Sequence, residues 1–124
     1  MKYQKQRVFK NLIVWQKSMK LVTNIYRLTE KFPQKETYGL TSQIRRCAIS
    51  IPSNISEGSM RSSKKDFVRF LYMSYGSGAE LQTQLEIANN LEYIKEKSFV
   101  EISKQLNEIM KILNVFIAKI KTDY

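Results

Sequence analysis

Apolar positions in this chain recur at spacings of three and four over four long stretches, the period of amphipathic helices. In the first stretch, Leu12, Trp15, Met19, Val22 and Tyr26 form one stripe, widened by Leu21, Ile25 and Leu28. The pattern predicts a helix from about Leu12 to Lys31 with Asn11 as its N-cap. Phe32-Pro33 ends it, because the residue before a proline is pushed away from helical angles. The second helix starts after Tyr38-Gly39-Leu40, with Thr41 as candidate cap, and stops near Gly58. Its core stripe is Ile44, Cys47, Ala48, Ile51 and Ile55, with Arg45 and Arg46 largely off it.

The third helix opens on Ser63, followed by Asp66 at the third position, a pattern like a capping box. Phe67, Phe70, Leu71, Ser74, Gly78, Leu81, Leu85 and Ala88 carry its inner face to about Leu91. Gly76-Ser77-Gly78 sits in its middle, and each interior glycine costs about 1 kcal/mol relative to alanine. Close approach of another helix or a ligand is the expected reason. The fourth helix is predicted to start at Ser98, with Glu101 at the third position. It carries Phe99, Ile102, Leu106, Ile109, Leu113, Phe116 and Ile120. Val100, Met110, Ile112 and Ile117 lie partly off that stripe and imply a second packing surface.

Pro52 falls inside the second stretch. Its ring fixes φ, removes an N–H and crowds the carbonyl of Ala48. The apolar spacing nevertheless runs through it, from Ile44 to Ile51 and Ile55. One kinked helix is expected, not two. The kink would free carbonyls that Ser53, Asn54 and Ser56 can satisfy. A binding notch facing Gly76-Ser77-Gly78 is the competing reading.

Short links between helices favour antiparallel neighbours. The expected fold is all-α, an antiparallel up-down-up-down four-helix bundle with helix 2 kinked at Pro52. Residues 1–10 read as a basic flexible tail and residues 11–124 as a single domain. With 124 residues the chain is long enough for a real core, and four glycines and two prolines leave little for a many-stranded fold. No apolar run reaches the length of a membrane span. The polar N-terminus lacks the apolar stretch of a secretory signal, and the single cysteine cannot form an internal disulfide. A cytoplasmic protein without membrane association is expected.

Histidine is absent, which removes the commonest general base and metal ligand. Asp66, Glu80 and Glu86 are the carboxylates an enzyme would have to use. Asp66 is accounted for by capping, and no Glu-x-x-His pair exists for a di-iron bundle. The expectation is no catalysis, no cofactor and no metal. Cys47, on the apolar stripe, is expected to be a buried, inert thiol.

Charge changes the picture more. The formal net charge is +10. Residues 1–31 hold eight basic groups and one acid, Glu30, and so carry seven of those ten net charges. Such asymmetry fits a polyanionic partner.

With these residues laid out, the chain resembles the four-helix-bundle proteins encoded by intervening sequences of bacterial large-subunit ribosomal RNA genes. The pieces that carry the resemblance are Leu12-Ile13-Val14-Trp15-Gln16, Phe32-Pro33 with Glu36, Tyr38-Gly39-Leu40 and Gln43-Ile44-Arg45-Arg46. Ser50-Ile51-Pro52-Ser53-Asn54-Ile55-Ser56-Glu57-Gly58 follows, then Arg61, Gly76-Ser77, Glu80-Leu81 and Thr83. Ser56 stands where the family usually has alanine, and Gln82 where an acid is frequent. The likeness covers about Phe9 to Ile120. It implies an antiparallel bundle assembled as a homo-oligomeric ring, typically a pentamer. It also implies similarity to the basic, nucleic-acid-binding accessory protein of diversity-generating retroelements.

Candidate phosphate contacts are Lys2, Lys5, Arg7, Lys10, Lys17, Lys20, Arg27, Arg45 and Arg46. Neutralising phosphates needs positive charge along a track rather than exact spacing. Arg45 and Arg46 have a competing role in salt bridges to Glu57, Glu80 or Glu86. Tyr3 and Phe9 either stack on unpaired bases or, for Phe9, anchor the tail to the bundle. The expected function is an oligomeric scaffold that binds RNA or DNA with low sequence specificity. The alternative is a protein-interaction module that holds an unidentified partner on the spare apolar surface of the fourth helix.

Overall fold

The computed structural model describes residues 9–122. It contains four long helices: α1 (Ile13–Thr29), α2 (Leu40–Ser59), α3 (Lys64–Asn90) and α4 (Glu96–Lys121). A 3-10 turn, Gln34–Glu36, interrupts the link from α1 to α2. No strand occurs among the described residues. The helices pack in a ring, each against two others: α1 on α2 and α4, α3 on α2 and α4. The core they share holds Leu21, Ile25, Ile44, Ile51, Ile55, Leu71, Leu81, Leu85, Leu106, Ile109 and Leu113, all fully buried. Each such side chain contributes about 1.5–3 kcal/mol by leaving water.

Side-chain pairs run in opposite order along α1 and α4, along α2 and α3, and along α3 and α4. Lys17 pairs with Glu108, and Asn24 bonds Gln105. Cys47 meets Glu80, Ser50 meets Ser77 and the Ile51 carbonyl accepts from Ser74, so the α3 number falls as the α2 number rises. Gln82 bonds Asn107, while Phe67 rests edge-on against Phe116.

The five core residues predicted on α2 are all buried, and the helix passes through Pro52 without a break. Several predicted details of the other elements differ. On α1 the buried face is Val14, Ser18, Leu21, Ile25 and Thr29. Met19 and Tyr26 are exposed, and Trp15 and Val22 only half-buried. The reason is that the hydroxyls of Ser18 and Thr29 find their acceptors inside the helix. Each donates to the carbonyl four residues back, Val14 at 2.6 Å and Ile25 at 2.8 Å, which lets the side chain be buried. The stripe that apolar counting selects is thereby left on the outside.

Three predicted caps also differ. Asn11 does not cap α1; residues 9–11 form a helical turn, the Leu12 N–H bonds the Phe9 carbonyl, and Leu12 takes the cap position without a side-chain bond. Thr41 is buried within α2, and the first N–H, that of Leu40, is received by the Glu36 carboxylate at 3.1 Å. Ser98 lies inside α4, which begins at Glu96, two residues after the buried Ile94. Only Ser63 caps as predicted, its hydroxyl accepting from the Asp66 N–H at 3.1 Å.

The two interior glycines of α3 have different surroundings. A Cβ on Gly78 would run into the Met110 sulfur, so that glycine lets α4 approach. Gly76 faces open space and has no such reason. On α4, Met110 and Ile117 belong to the core rather than to a second surface.

Candidate nucleic-acid interface

The predicted basic residues fall into two groups on opposite flanks of α1. Lys17, Lys20 and Arg27 line shallow furrows between α1 and α4, beside Asn24, Gln105 and the carboxylates of Glu30, Glu101 and Glu108. Lys17 is paired with Glu108, whose carboxyl is held below its usual range first by that hydrogen bond and then by the ammonium charge. Among the described residues, Lys20 and Arg27 have no hydrogen bond or ion pair, so their charges face water. Lys10 stands at the lead-in turn, where its carbonyl accepts from the Gln16 side chain at 2.9 Å. In the same turn Phe9 sets its ring edge-on to Trp15, 5.4 Å between centroids. Lys2, Lys5 and Arg7, with Tyr3, lie outside the described residues.

Arg45 and Arg46 open on the other flank, in a cleft of about 690 Å³ between the end of α1 and the start of α2. Neither meets Glu57, Glu80 or Glu86 within the chain. Glu57 instead pairs with Arg61 one turn on, and Glu80 accepts from Cys47. The Arg45 Nε donates to the Thr29 hydroxyl at 2.8 Å, and a terminal nitrogen donates to the Tyr26 carbonyl at 3.3 Å. Its guanidinium lies over the Tyr26 ring, 4.4 Å from the centroid. Arg46, one residue on, is exposed and unpaired among the described residues. At the lip of the cleft Tyr38 is 97% exposed.

Periodicity places Tyr26 on the core stripe of α1 and gives no mark to Tyr38 or Thr29. Tyr38 lies between elements, where no stripe runs, and Thr29 is a polar residue in an apolar pattern. Because α2 starts at Leu40, Arg45 stands little more than one turn into it, within reach of the last turn of α1.

Around Pro52, the Asn54 amide donates to the Ser50 carbonyl and hydroxyl, both at 2.9 Å, and Ser56 donates to the Ser53 carbonyl. The Ser50 and Ser77 hydroxyls bond at 2.8 Å and link α2 to α3 beside Pro52. Cys47 is buried, and burial, followed by its bond to Glu80, pushes the thiol pKa up, which keeps it unreactive at neutral pH. Asp66 lies beside Arg69 at the start of α3, and the described residues bring no three metal-ligating side chains together.

A model of the 23S rRNA-intervening sequence protein family matches residues 10–115. The chain belongs to that family. A crystal structure of a protein of unknown function from the S23 ribosomal protein family of Bacteroides thetaiotaomicron is also similar. It is 27% identical, with a TM-score of 0.77, and the match covers 85% of this chain and 98% of that one. No curated protein matches. The family match spans both flanks of α1 and the whole of α2, so both basic groups lie on the part of the chain the family shares.

Proposed function

We propose that this protein is a non-enzymatic, oligomeric scaffold that binds RNA or an RNA–DNA intermediate through phosphate contacts with little sequence discrimination. The observation that carries the reading is the flank of α1. Lys20 and Arg27 stand there without acidic partners among the described residues, alongside Lys17. A family encoded within ribosomal RNA genes is consistent with an RNA partner. No helix among the described residues is long and apolar enough to cross a membrane. The protein is read as cytoplasmic.

The bundle is read as antiparallel, up-down-up-down, on the opposed order of the pairs between α1 and α4, α2 and α3, and α3 and α4. A bend in α2 at Pro52 is read from the lost N–H, which leaves the Ala48 carbonyl without its helical donor, and from the crowding of that carbonyl by the ring. The resemblance suggests a pentamer, and Trp15, Met19 and Val22 on the outer side of α1 supply apolar surface that a second copy would cover. A ring would repeat the α1 charges, and weak contacts would add through effective concentration.

A second reading has one observation in its favour. Ile13 and Val115, 62% and 68% exposed, flank an apolar groove with Leu12, Ile112 and Phe116. A protein partner seated there would make the charge incidental.

A salt titration of binding to labelled single- and double-stranded RNA and DNA separates the two. The scaffold reading expects log K to fall linearly with log salt, by roughly 0.7–0.9 per phosphate neutralised, and the slope to flatten in a Lys17→Gln, Lys20→Gln, Arg27→Gln variant of unchanged oligomeric mass. No binding at low salt would retire it in favour of the partner groove.

A further inference from the structure

We propose that the cleft between α1 and α2 holds one unpaired nucleotide of a single strand, with its phosphodiester on Arg45 and Arg46 and its base on the Tyr38 ring. The proposal rests on the nucleic-acid reading above and names the ligand of one of its two basic groups.

Arg45 is already fixed. Thr29 and the Tyr26 carbonyl hold two of its nitrogens, and the Tyr26 ring holds its plane. The third nitrogen has no partner among the described residues and keeps both of its N–H donors. Binding would therefore immobilise little that is not immobile already. Arg46 adds a second guanidinium, and among the described residues neither it nor the adjoining Ser42 hydroxyl makes a hydrogen bond.

The charge of the cleft selects among phosphates. Two arginines face one carboxylate, Glu30, which leaves a single net positive charge. That balances one phosphodiester and not a triphosphate. The volume, about 690 Å³, lies in the ordinary range for small-ligand sites, roughly 300–1,000 Å³.

Tyr38 supplies the other half of the ligand. An aromatic ring that is 97% exposed buries nothing in this chain. Its place at the lip of a cleft with two guanidinium groups is where a base would stack. A duplex keeps its bases paired and cannot offer one, so the cleft is specific for unpaired strands whereas the α1 flank is not.

The test uses the full chain, freed of nucleic acid and of measured oligomeric mass. Binding is titrated with a short labelled oligoadenylate, the same strand without bases, a duplex of equal length, and adenosine monophosphate. Tyr38→Ala is expected to weaken the oligoadenylate about tenfold and to leave the duplex and the baseless strand unchanged. Arg46→Gln is expected to weaken both single strands and reduce the salt slope by about 0.7, one phosphate's share. If neither variant changes single-strand binding while Lys17→Gln with Lys20→Gln weakens every ligand, the cleft proposal falls and the scaffold reading stands. Monophosphate binding as tight as the strand's would overturn the single-strand assignment, and a change of oligomeric mass in Tyr38→Ala would give the cleft to a second copy. If the unaltered protein binds no strand and no duplex, both readings fall together.

Discussion

The Tyr93 hydroxyl donates to Glu36 Oε2 at 2.9 Å, while Glu36 Oε1 receives the Leu40 N–H at 3.1 Å. One carboxylate thus caps α2 and ties the α1–α2 link to the α3–α4 link. The Tyr93 ring also rests on Phe32, 5.5 Å between centroids. The Leu40 N–H, followed by the Tyr93 hydroxyl, holds the Glu36 pKa below its usual value. The bond to Glu36 raises that of Tyr93.

The sign of the pH dependence follows. A lowered carboxyl pKa contributes stability above the unfolded value of 4.5 that is lost as pH falls through the folded value. The raised Tyr93 pKa contributes stability below 10.0 that is lost as pH rises through its folded value. Glu36→Gln should flatten the acid limb of a denaturation-midpoint profile, and Tyr93→Phe the alkaline limb. Urea titrations across pH check both.

Three glycines should respond differently to alanine. At Gly76 the added Cβ meets nothing, so helix propensity alone acts and Gly76→Ala should stabilise by about 0.5–1 kcal/mol. At Gly58 it would lie 2.6 Å from the Phe70 Cβ, an atom that moves only with α3, and 3.0 Å from the Phe67 ring. Gly58→Ala should destabilise by about 1–3 kcal/mol. Gly78→Ala should fall between, since the flexible Met110 thioether can turn aside. Thermal or urea unfolding of the three variants orders them.

Glu92 has φ of 63°, in the left-handed region. The Tyr93 N–H bonds the Ala88 carbonyl and the Glu92 N–H the Asn89 carbonyl, a Schellman ending with glutamate where glycine is usual. Glu92→Gly should relieve strain and raise stability by roughly 1 kcal/mol, whereas Glu92→Val should lower it. Melting midpoints decide.

Glu108 neutralises Lys17 on the flank read as the phosphate track. Glu108→Gln removes a negative charge and frees that ammonium. Nucleic-acid affinity should rise and the salt slope steepen, with the fold intact because the pair is largely exposed. Unchanged affinity would place the track elsewhere.

How much of this was legible in sequence can be judged from particular residues. The α2 stripe was plain because five apolar side chains mark it without interruption. The α1 stripe was not, because Ser18 and Thr29 donate their hydroxyl protons to their own helix and so can be buried although polar. The Ser63 cap was legible as a local pattern, and Ser98 carried the same pattern without acting as one. The basic flank of α1 was readable as charge. The cleft was not, since it joins Tyr26 and Thr29 to Arg45 across the link between two helices.

The sequence by itself determined helix content, four long helices, the passage of α2 through Pro52 and the concentration of charge in the first quarter of the chain. These depend on spacing and composition, which act over one or two turns. Tertiary structure alone decided which face of α1 is buried, that Gly78 but not Gly76 admits a neighbour, and that Arg45 stacks on Tyr26 instead of meeting a carboxylate. Each depends on contacts between residues far apart in the chain. Those contacts are settled by how the helices fill a common core, and no local pattern encodes that.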